Sequence, residues 1–255
     1  CHLSRENCGL WCAREFEKLL KDQSTCCSHT NSIAAIIVEL VQGVGGICAP
    51  DGWTDIIRNA CDEHGVILIV DEIQAGLGRT GKMLSCDHWN LVPDMIALAK
   101  GLGGGVPLGM TVTTDEIAEK FNTGTTPTGA GSPLACAAGL AFLDVLEKEN
   151  LCENAAKMGA LLSDKLRERV PEKFIGEIRL TGLMGGIELV KNTKTKEPFD
   201  KKTMSKIQNL LLEKGVILSI SGPLGNVLRL QPPLCINDEE VEFIAKAVGE
   251  SVAEA

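Results

Sequence analysis

Three apolar segments that each lead into a charged residue constrain the fold of this chain most strongly. Strands are predicted in AAIIVEL (34–40), VILIV (66–70) and MIALA (95–99), and the charged residues are Glu39, Asp71 and Lys100. Strands that are apolar throughout and alternate with helical segments are typical of a mainly parallel sheet with both faces covered. Since the carboxyl ends of parallel strands lie at one edge of a sheet, where ligands bind, we expect the three charged side chains to share that edge.

The second half of the chain has a different pattern. A long helical region begins at Ser132, a typical capping residue, and breaks near Asn150. Over the whole chain, helices are further predicted at 11–21, 53–64, 202–214 and from 238. The further predicted strands are at 107–114, within 175–190, and at 216–220 and 226–230. We therefore predict an α/β fold in which residues 1–150 belong to a large domain and residues 151–255 form a small α+β domain.

Composition narrows the classes of function. With 255 residues, 44% of them hydrophobic, the chain can bury a core, and its net charge of −9 argues against nucleic-acid binding. No apolar run reaches membrane-spanning length and no signal-peptide pattern opens the sequence, so we expect a soluble protein without a membrane partner. The eleven cysteines lack metal-ligand spacing. Free thiols in the cytoplasm or an organelle matrix are therefore favoured over a metal site near Cys26, Cys27 and His29.

The segment GLGRTGK (76–82) has the appearance of a phosphate loop but lacks its chemistry. A Walker loop needs Ser or Thr after its lysine to help hold magnesium, and the residue here is Met83. The glycine run that follows Lys100 ends in Val106, where a dinucleotide fingerprint requires another glycine. Neither ATP nor a dinucleotide is expected to bind, and Arg79 is predicted to be a structural turn residue.

Lys100 suggests a different cofactor. It closes an apolar strand and precedes four glycines within five residues, which leaves room for a bulky group on its amine. Lysine amines form Schiff bases with carbonyl cofactors, and pyridoxal 5'-phosphate (PLP) also needs a carboxylate at its ring nitrogen, for which Asp71 is a candidate. The same pattern is compatible with a solvated surface lysine and an Asp that caps a turn, so spacing alone leaves both interpretations open.

A family resemblance favours the cofactor. The segments AAIIVELVQGVGG, DEHGVILIVDEIQAGLGRTGKM, VPDMIALAKGLGGGVPLG, GAGSPLACAAGLAFLDVLEKENL, GLMGGIELVKNTKTKEP and GPLGNVLRLQPPL follow in order. Together they closely resemble the class III (ω-amino acid) aminotransferases, in particular those that act on 4-aminobutyrate, and the likeness extends from Ile33 to near the C-terminus. It implies a fold type I PLP-transferase that works as a homodimer with active sites at the interface.

The resemblance implies five cofactor-binding residues. Lys100 would hold PLP and move the proton between substrate and cofactor carbons, and Asp71 would pair with the ring nitrogen. Gln74 would hydrogen-bond near the ring hydroxyl, and Val70 would pack against the ring. Thr128 would reach the phosphate of the neighbouring subunit's cofactor.

The resemblance also implies the substrates. Arg229 would bind the α-carboxylate of an amino or 2-oxo acid, and Glu39 would pair with Arg229 when the reacting end of the substrate carries no carboxylate. The expected reaction moves an amino group from an ω-amino acid or amine, similar to 4-aminobutyrate, to a 2-oxo acid such as 2-oxoglutarate.

Two alternatives stay open. NTKTKEP (192–198) also resembles the dialkylglycine decarboxylase branch, although that site favours hydroxyl residues near Gly43 and Val44 and neither is one. Family members carry a long N-terminal portion that helps to bind the phosphate and the ring. We therefore expect this chain to match the C-terminal portion of such an enzyme, with an incomplete sheet, or to be a truncated fragment without catalysis.

Overall fold

Two β-sheets organise the protein, whose computed structural model describes residues 8–21, 33–121 and 128–255. The helices are α1 Trp11–Lys21, α2 Trp53–His64, α3 Asp115–Ala118, α4 Pro133–Lys148, α5 Leu151–Arg169, α6 Lys201–Glu213 and α7 Asp238–Glu254. The strands are β1 Ala35–Val38, β2 Ile67–Asp71, β3 Met95–Leu98, β4 Met110–Thr113, β5 Ile175–Thr181, β6 Met184–Asn192, β7 Glu197–Pro198, β8 Ser219–Ser221 and β9 Val227–Leu230. The Cys26, Cys27 and His29 group lies outside the described residues.

The first sheet confirms the predicted parallel core. Its order is β1-β2-β3-β4, in which β1, β2 and β3 run parallel and β4 runs antiparallel to β3. Val38 pairs with Val70, and Asp71 pairs with Ala97. The carboxyl ends of the three parallel strands therefore lie at one edge, as the sequence pattern predicts.

The expectation that both faces of this sheet are covered is wrong for the outer strands. Alternate residues of β1 and β2 pack against α1 and α2, but Ile37 on the other face of β1 is 60% exposed. On β4, Met110 and Val112 are 42% and 43% exposed. Side chains along a strand alternate between the two faces of the sheet. A strand that is apolar throughout therefore indicates that burial is favourable on both faces, but it does not identify the element that covers each face.

The second sheet is antiparallel, with the order β5-β6-β9-β8 and with β7 paired to β6. Side chains of α5, α6 and α7 pack with those of β6 and β9 in one continuous core, which includes Leu162, Ile187, Leu211, Leu228 and Val248. The helix α5, which begins at Leu151, belongs to this core. A division of the chain near residue 150 stays our proposal.

Local signals account for several of the helix ends. Gly65 follows α2 with φ of 64°, and its N–H binds the carbonyl of Cys61, which is a common glycine-terminated helix end. Ser132 accepts a hydrogen bond from Ala135 N at the start of α4, as predicted for a capping serine. Asn150 has φ of 51° and separates α4 from α5, which confirms the predicted break.

Glycines allow the two halves of the protein to approach closely. A Cβ added to Gly159 of α5 would lie 1.9 Å from the carbonyl oxygen of Gly182, in the turn between β5 and β6. A Cβ added to Gly182 would lie 2.4 Å from the carbonyl carbon of Thr80, in the loop after β2. These contacts involve backbone atoms, which cannot rotate away as a flexible side chain can.

We therefore expect the substitution Gly159→Ala to lower the free energy of unfolding by about 3 kcal/mol, because the new methyl group must displace a neighbouring backbone. Urea unfolding followed by circular dichroism measures this change. Gly109→Ala is the matched control, since its added Cβ meets nothing closer than 3.8 Å. Equal stability of the two variants would contradict a tight junction between α5 and the β5–β6 turn.

Candidate active site

The predicted site residues Lys100 and Gln74 are in direct contact. Lys100 begins the short 3-10 turn Lys100–Gly103 that follows β3, and its Nζ donates a hydrogen bond of 2.5 Å to Oε1 of Gln74. Gln74 lies in the loop after β2, so the bond joins the ends of two adjacent strands. The amine therefore has a fixed hydrogen-bond partner at the carboxyl edge of the sheet.

The backbone of Lys100 is in the left-handed region, with φ of 49°. A non-glycine residue in this conformation costs on the order of 1 kcal/mol and is common at functional sites. The preceding Ala99 is extended, so the chain turns sharply at the lysine. The turn directs the Lys100 side chain toward Gln74 instead of continuing the alternation of β3.

A cavity of about 660 Å³ brings together Lys100, Gln74 and Arg229. Its walls are largely apolar and come from both halves of the protein, with Ile73, Leu77, Phe142, Val145, Leu151 and Leu234 among the lining residues. Cavities of this size and character are typical of sites for small molecules and cofactors. Arg229 reaches the cavity from β9, in a register set by its pairing with Gly186 of β6 and Ser219 of β8.

Asp71 lies at the last position of β2 and is half-buried. Its Oδ1 accepts a hydrogen bond of 2.9 Å from the backbone N–H of Ile73. Ile73 lines the cavity, whereas Asp71 is not among the lining residues. The hydrogen bond from Ile73 therefore holds the Asp71 carboxylate next to the cavity wall.

Val70, which the family resemblance places against the ring, lies away from the cavity, whereas Ile73 lines it. Val70 is fully buried and packs in the core beneath α1 and α2, so it does not line the cavity. Successive side chains of a strand point to opposite faces, which separates Val70 from Asp71. Ile73 instead presents an apolar side chain to the cavity beside Lys100. A contact between Val70 and the ring stays a prediction without support from this placement.

Glu39 and Thr128 lie outside the cavity lining. Oε2 of Glu39 accepts a hydrogen bond of 2.8 Å from the N–H of Gly43, and in the described structure Glu39 makes no ion pair with Arg229. Thr128 is exposed, next to the undescribed residues 122–127. The Glu39–Arg229 pairing and the phosphate contact of Thr128 stay predictions.

Sequence reasoning missed Glu72, a buried carboxylate next to Asp71. Glu72 is 1% exposed and accepts three hydrogen bonds, from the N–H of Ser85 (3.0 Å), the hydroxyl of Ser85 (2.7 Å) and the N–H of Cys86 (2.9 Å). Saturated hydrogen bonding offsets the cost of burying the charge. Glu72 thereby closes the loop from residue 73 to residue 84, and the acidic pair Asp71-Glu72 is the one signal in the sequence that could have indicated it.

Cys86 is also buried against this carboxylate. Burial raises the pKa of the Cys86 thiol to about 12, with a further contribution from the negative charge of Glu72. The ordinary thiol value is 9.0, so the folded protein favours the neutral thiol over the thiolate that forms in the unfolded chain at alkaline pH. The raised pKa therefore contributes stability below the unfolded pKa, and this contribution is lost as the pH rises through the interval up to the folded pKa.

We expect the free energy of unfolding to fall by about 1 kcal/mol more in the wild-type chain than in Cys86→Ala when the pH rises from about 8 to about 10. Chemical unfolding at the two pH values measures this difference. Cys136→Ala removes an exposed thiol and is expected to keep the wild-type dependence. An identical pH dependence in wild type and Cys86→Ala would contradict the proposed burial of the neutral thiol.

Comparison with known proteins identifies the family to which this chain belongs. The family model for aminotransferase class-III matches residues 3–251. This chain belongs to the class III aminotransferases. Members of this family depend on PLP, and one solved relative is an amine transaminase from an uncultivated Pseudomonas species in its PLP-bound form. That structure is 36% identical, with a TM-score of 0.84, and the match covers 96% of this chain and 56% of the other.

Two curated relatives illustrate the range of reactions in the family. The adenosylmethionine-8-amino-7-oxononanoate aminotransferase of Geobacter sulfurreducens is 34% identical over 99% of this chain and 57% of its own length. The probable 4-aminobutyrate aminotransferase of Bacillus subtilis is 39% identical over 81% of this chain and 48% of its own length. The chain therefore spans about half the length of the curated relatives it matches.

The residues of this class III chain fit PLP. The Lys100 amine opens on a cavity large enough for a pyridine ring and a small substrate, and an apolar wall at Ile73 offers a surface for the ring.

Within the described ranges, no group of three or more metal-ligating side chains occurs, and no helix is long and apolar enough to cross a membrane. The eight cysteines that the structure describes are free.

Proposed function

We propose that this chain carries the reactive lysine and the carboxylate-binding arginine of a PLP-dependent aminotransferase. The amino donor is an ω-amino acid or amine similar to 4-aminobutyrate, and the acceptor is a 2-oxo acid such as 2-oxoglutarate. The observation that carries the proposal is the cavity lined by both Lys100 and Arg229, with Gln74 bound to the lysine amine. The similarity to the probable 4-aminobutyrate aminotransferase of Bacillus subtilis supports the choice of donor.

PLP, when bound, supplies an electron sink for the substrate carbon next to the transferred nitrogen. Nζ of Lys100 would act as the general base that accepts the proton from that carbon and delivers it to the cofactor carbon, and Lys100 lines the cavity in which this transfer would take place. Gln74 orients Nζ through their hydrogen bond. Asp71 would hold the proton on the ring nitrogen, and its carboxylate accepts a hydrogen bond from the N–H of Ile73.

Arg229 and Glu39 select the substrate. The planar guanidinium of Arg229 binds a carboxylate through two parallel hydrogen bonds, which positions the carbon to be deprotonated near Lys100. Glu39 accepts a hydrogen bond from Gly43 in the described structure, which leaves Arg229 available to a carboxylate. When the reacting end of the donor lacks a carboxylate, Glu39 pairs with Arg229 and offsets its charge.

The remaining assignments are proposals about this chain's assembly, location and domain division. We propose a homodimer with Thr128 directed to the phosphate of the neighbouring site, and a cytoplasmic or organelle-matrix location, which the free cysteines support. We also propose that residues 1–150 form part of the PLP-binding domain and that residues 151–255 form the small C-terminal domain.

Covalent attachment of PLP tests the lysine assignment. After incubation with PLP and reduction with borohydride, peptide mapping of the chain is expected to find the label mainly on Lys100, because this amine alone among the described lysines lines the cavity. Lys100→Ala is expected to lose the label. Lys148→Ala, which removes an exposed lysine of α4, serves as the matched control and keeps it. A label spread evenly over surface lysines would contradict a cofactor site in this chain.

Kinetics of the PLP-loaded chain test the substrate assignment. With 4-aminobutyrate and 2-oxoglutarate, Arg229→Lys is expected to raise KM for 2-oxoglutarate about tenfold or more, because an ammonium cannot bind a carboxylate bidentately. Glutamate formation measures the reaction, and Arg167→Lys, an exposed change on α5, is the control. Release of carbon dioxide from 2-methylalanine would favour the dialkylglycine decarboxylase alternative. Labelling of Lys100 without any glutamate would contradict transamination by this chain.

A further inference from the structure

Arg79 links the loop after β2 to two segments of the other half of the protein. Its Nη1 donates hydrogen bonds to the carbonyl oxygens of Pro232 (2.5 Å) and Leu183 (3.4 Å). Its own carbonyl oxygen accepts a hydrogen bond of 3.0 Å from the N–H of Leu183. One residue therefore contacts both the turn before β6 and the segment that follows β9.

The charge of Arg79 has no described carboxylate partner. No ion pair joins it to a residue of the described ranges, although Glu149 lines the same cavity. Partial burial lowers the pKa of the Arg79 guanidinium. A partly buried cation whose hydrogen bonds go to neutral carbonyls is costly compared with an apolar side chain of the same size. We therefore attribute the importance of Arg79 to the rigid, planar arrangement of its hydrogen-bond donors, which can fix the positions of the groups that it binds.

The two carbonyls that Arg79 binds belong to the segments that place Arg229. Pro232 lies three residues after Arg229, just beyond the end of β9, and Leu183 immediately precedes β6, to which β9 is paired. Arg79 itself lies five residues after Gln74, the partner of the Lys100 amine. All four side chains, those of Arg79, Gln74, Lys100 and Arg229, line the same cavity.

The surroundings of Arg79 leave little freedom for another arrangement. An added Cβ on Gly81 would lie 3.0 Å from Cβ of Ala156 in α5, and one on Gly182 would lie 2.6 Å from the backbone N of Gly81. Close backbone packing thus holds the loop against the other half of the protein, but van der Waals contact has no directional preference. The hydrogen bonds of Arg79 supply that direction.

We propose that Arg79 is a positioning residue for carboxylate recognition, which sets the location of Arg229 relative to Lys100 through its bonds to Leu183 and Pro232. The proposed role of Arg79 is to place Arg229, and no contact with the substrate is assigned to Arg79. This inference rests on the proposed function for the carboxylate that Arg229 binds. The positioning itself concerns only side chains of this chain, so it can be measured separately.

The test compares four forms of the chain: wild type, Arg79→Met, Arg79→Lys and Arg58→Met. Arg58 is a partly buried arginine of α2 that pairs with Asp62 and Asp94 away from the cavity, so Arg58→Met controls for a general loss of stability. Three quantities are measured: PLP attachment at Lys100, hydrogen exchange of the backbone over 228–235, and titration with 2-oxoglutarate. The titration follows the Nε–H signal of Arg229 by NMR. This signal is assigned as the one that disappears in the spectrum of Arg229→Lys.

In Arg79→Met we expect the dissociation constant for 2-oxoglutarate to rise about tenfold, because a small displacement of a binding group has a large effect on recognition. Hydrogen exchange over 228–235 accelerates, and attachment at Lys100 stays within about twofold of wild type, since Gln74 keeps its bond to the amine. Arg79→Lys, which can reach one carbonyl, gives intermediate values. Arg58→Met lowers the melting temperature without changing the dissociation constant.

Two results would overturn the proposal. One is a dissociation constant and exchange rate in Arg79→Met equal to those of Arg58→Met. The other is an Arg79→Lys variant that is as impaired as Arg79→Met. If wild type shows no response to 2-oxoglutarate but Arg79→Met still shifts the Arg229 signal and accelerates exchange, the proposed function fails while the positioning by Arg79 stands.

Discussion

Parallel pairing of β1, β2 and β3 is the constraint on which the rest of the site depends. Because the three strands run in the same direction, the residue that follows each one emerges at the same edge of the sheet. The pairing of Asp71 with Ala97 brings the loop after β2 beside the turn after β3, and the bond between Gln74 and Lys100 follows from that neighbourhood. A shift of one residue in either pairing would move Asp71 to the opposite face.

The fold could be predicted from the sequence wherever a local signal specifies it. The helix over 53–64 has the predicted bounds, since a glycine with positive φ follows it, and the start of α4 is set by its capping Ser132. Coverage of the first sheet could not be predicted. The apolar character of Ile37 and Val112 indicates that their burial is favourable, but it does not identify the neighbour that would bury them.

The candidate site could be predicted only in part, for two physical reasons. Ile73 lies beyond the end of β2, where the alternation of faces no longer applies, so no strand pattern indicates that it lines the cavity. Val70, to which the family resemblance assigns the ring contact, packs in the core. Glu72 belongs to a residue type that is almost always exposed, and its burial depends on donors thirteen and fourteen residues away, Ser85 and Cys86. Contacts of this kind depend on tertiary structure, which local periodicity does not encode.

The left-handed backbone of Lys100 has a consequence for the balance between stability and catalysis. Glycine adopts φ near 49° without strain and asparagine adopts it with little, whereas lysine does so at a cost. The position would therefore be occupied by another residue if folding alone were optimised. In the role proposed for Lys100, the amine is retained at a cost in stability, and a catalytically inert version of this turn would be the more stable one.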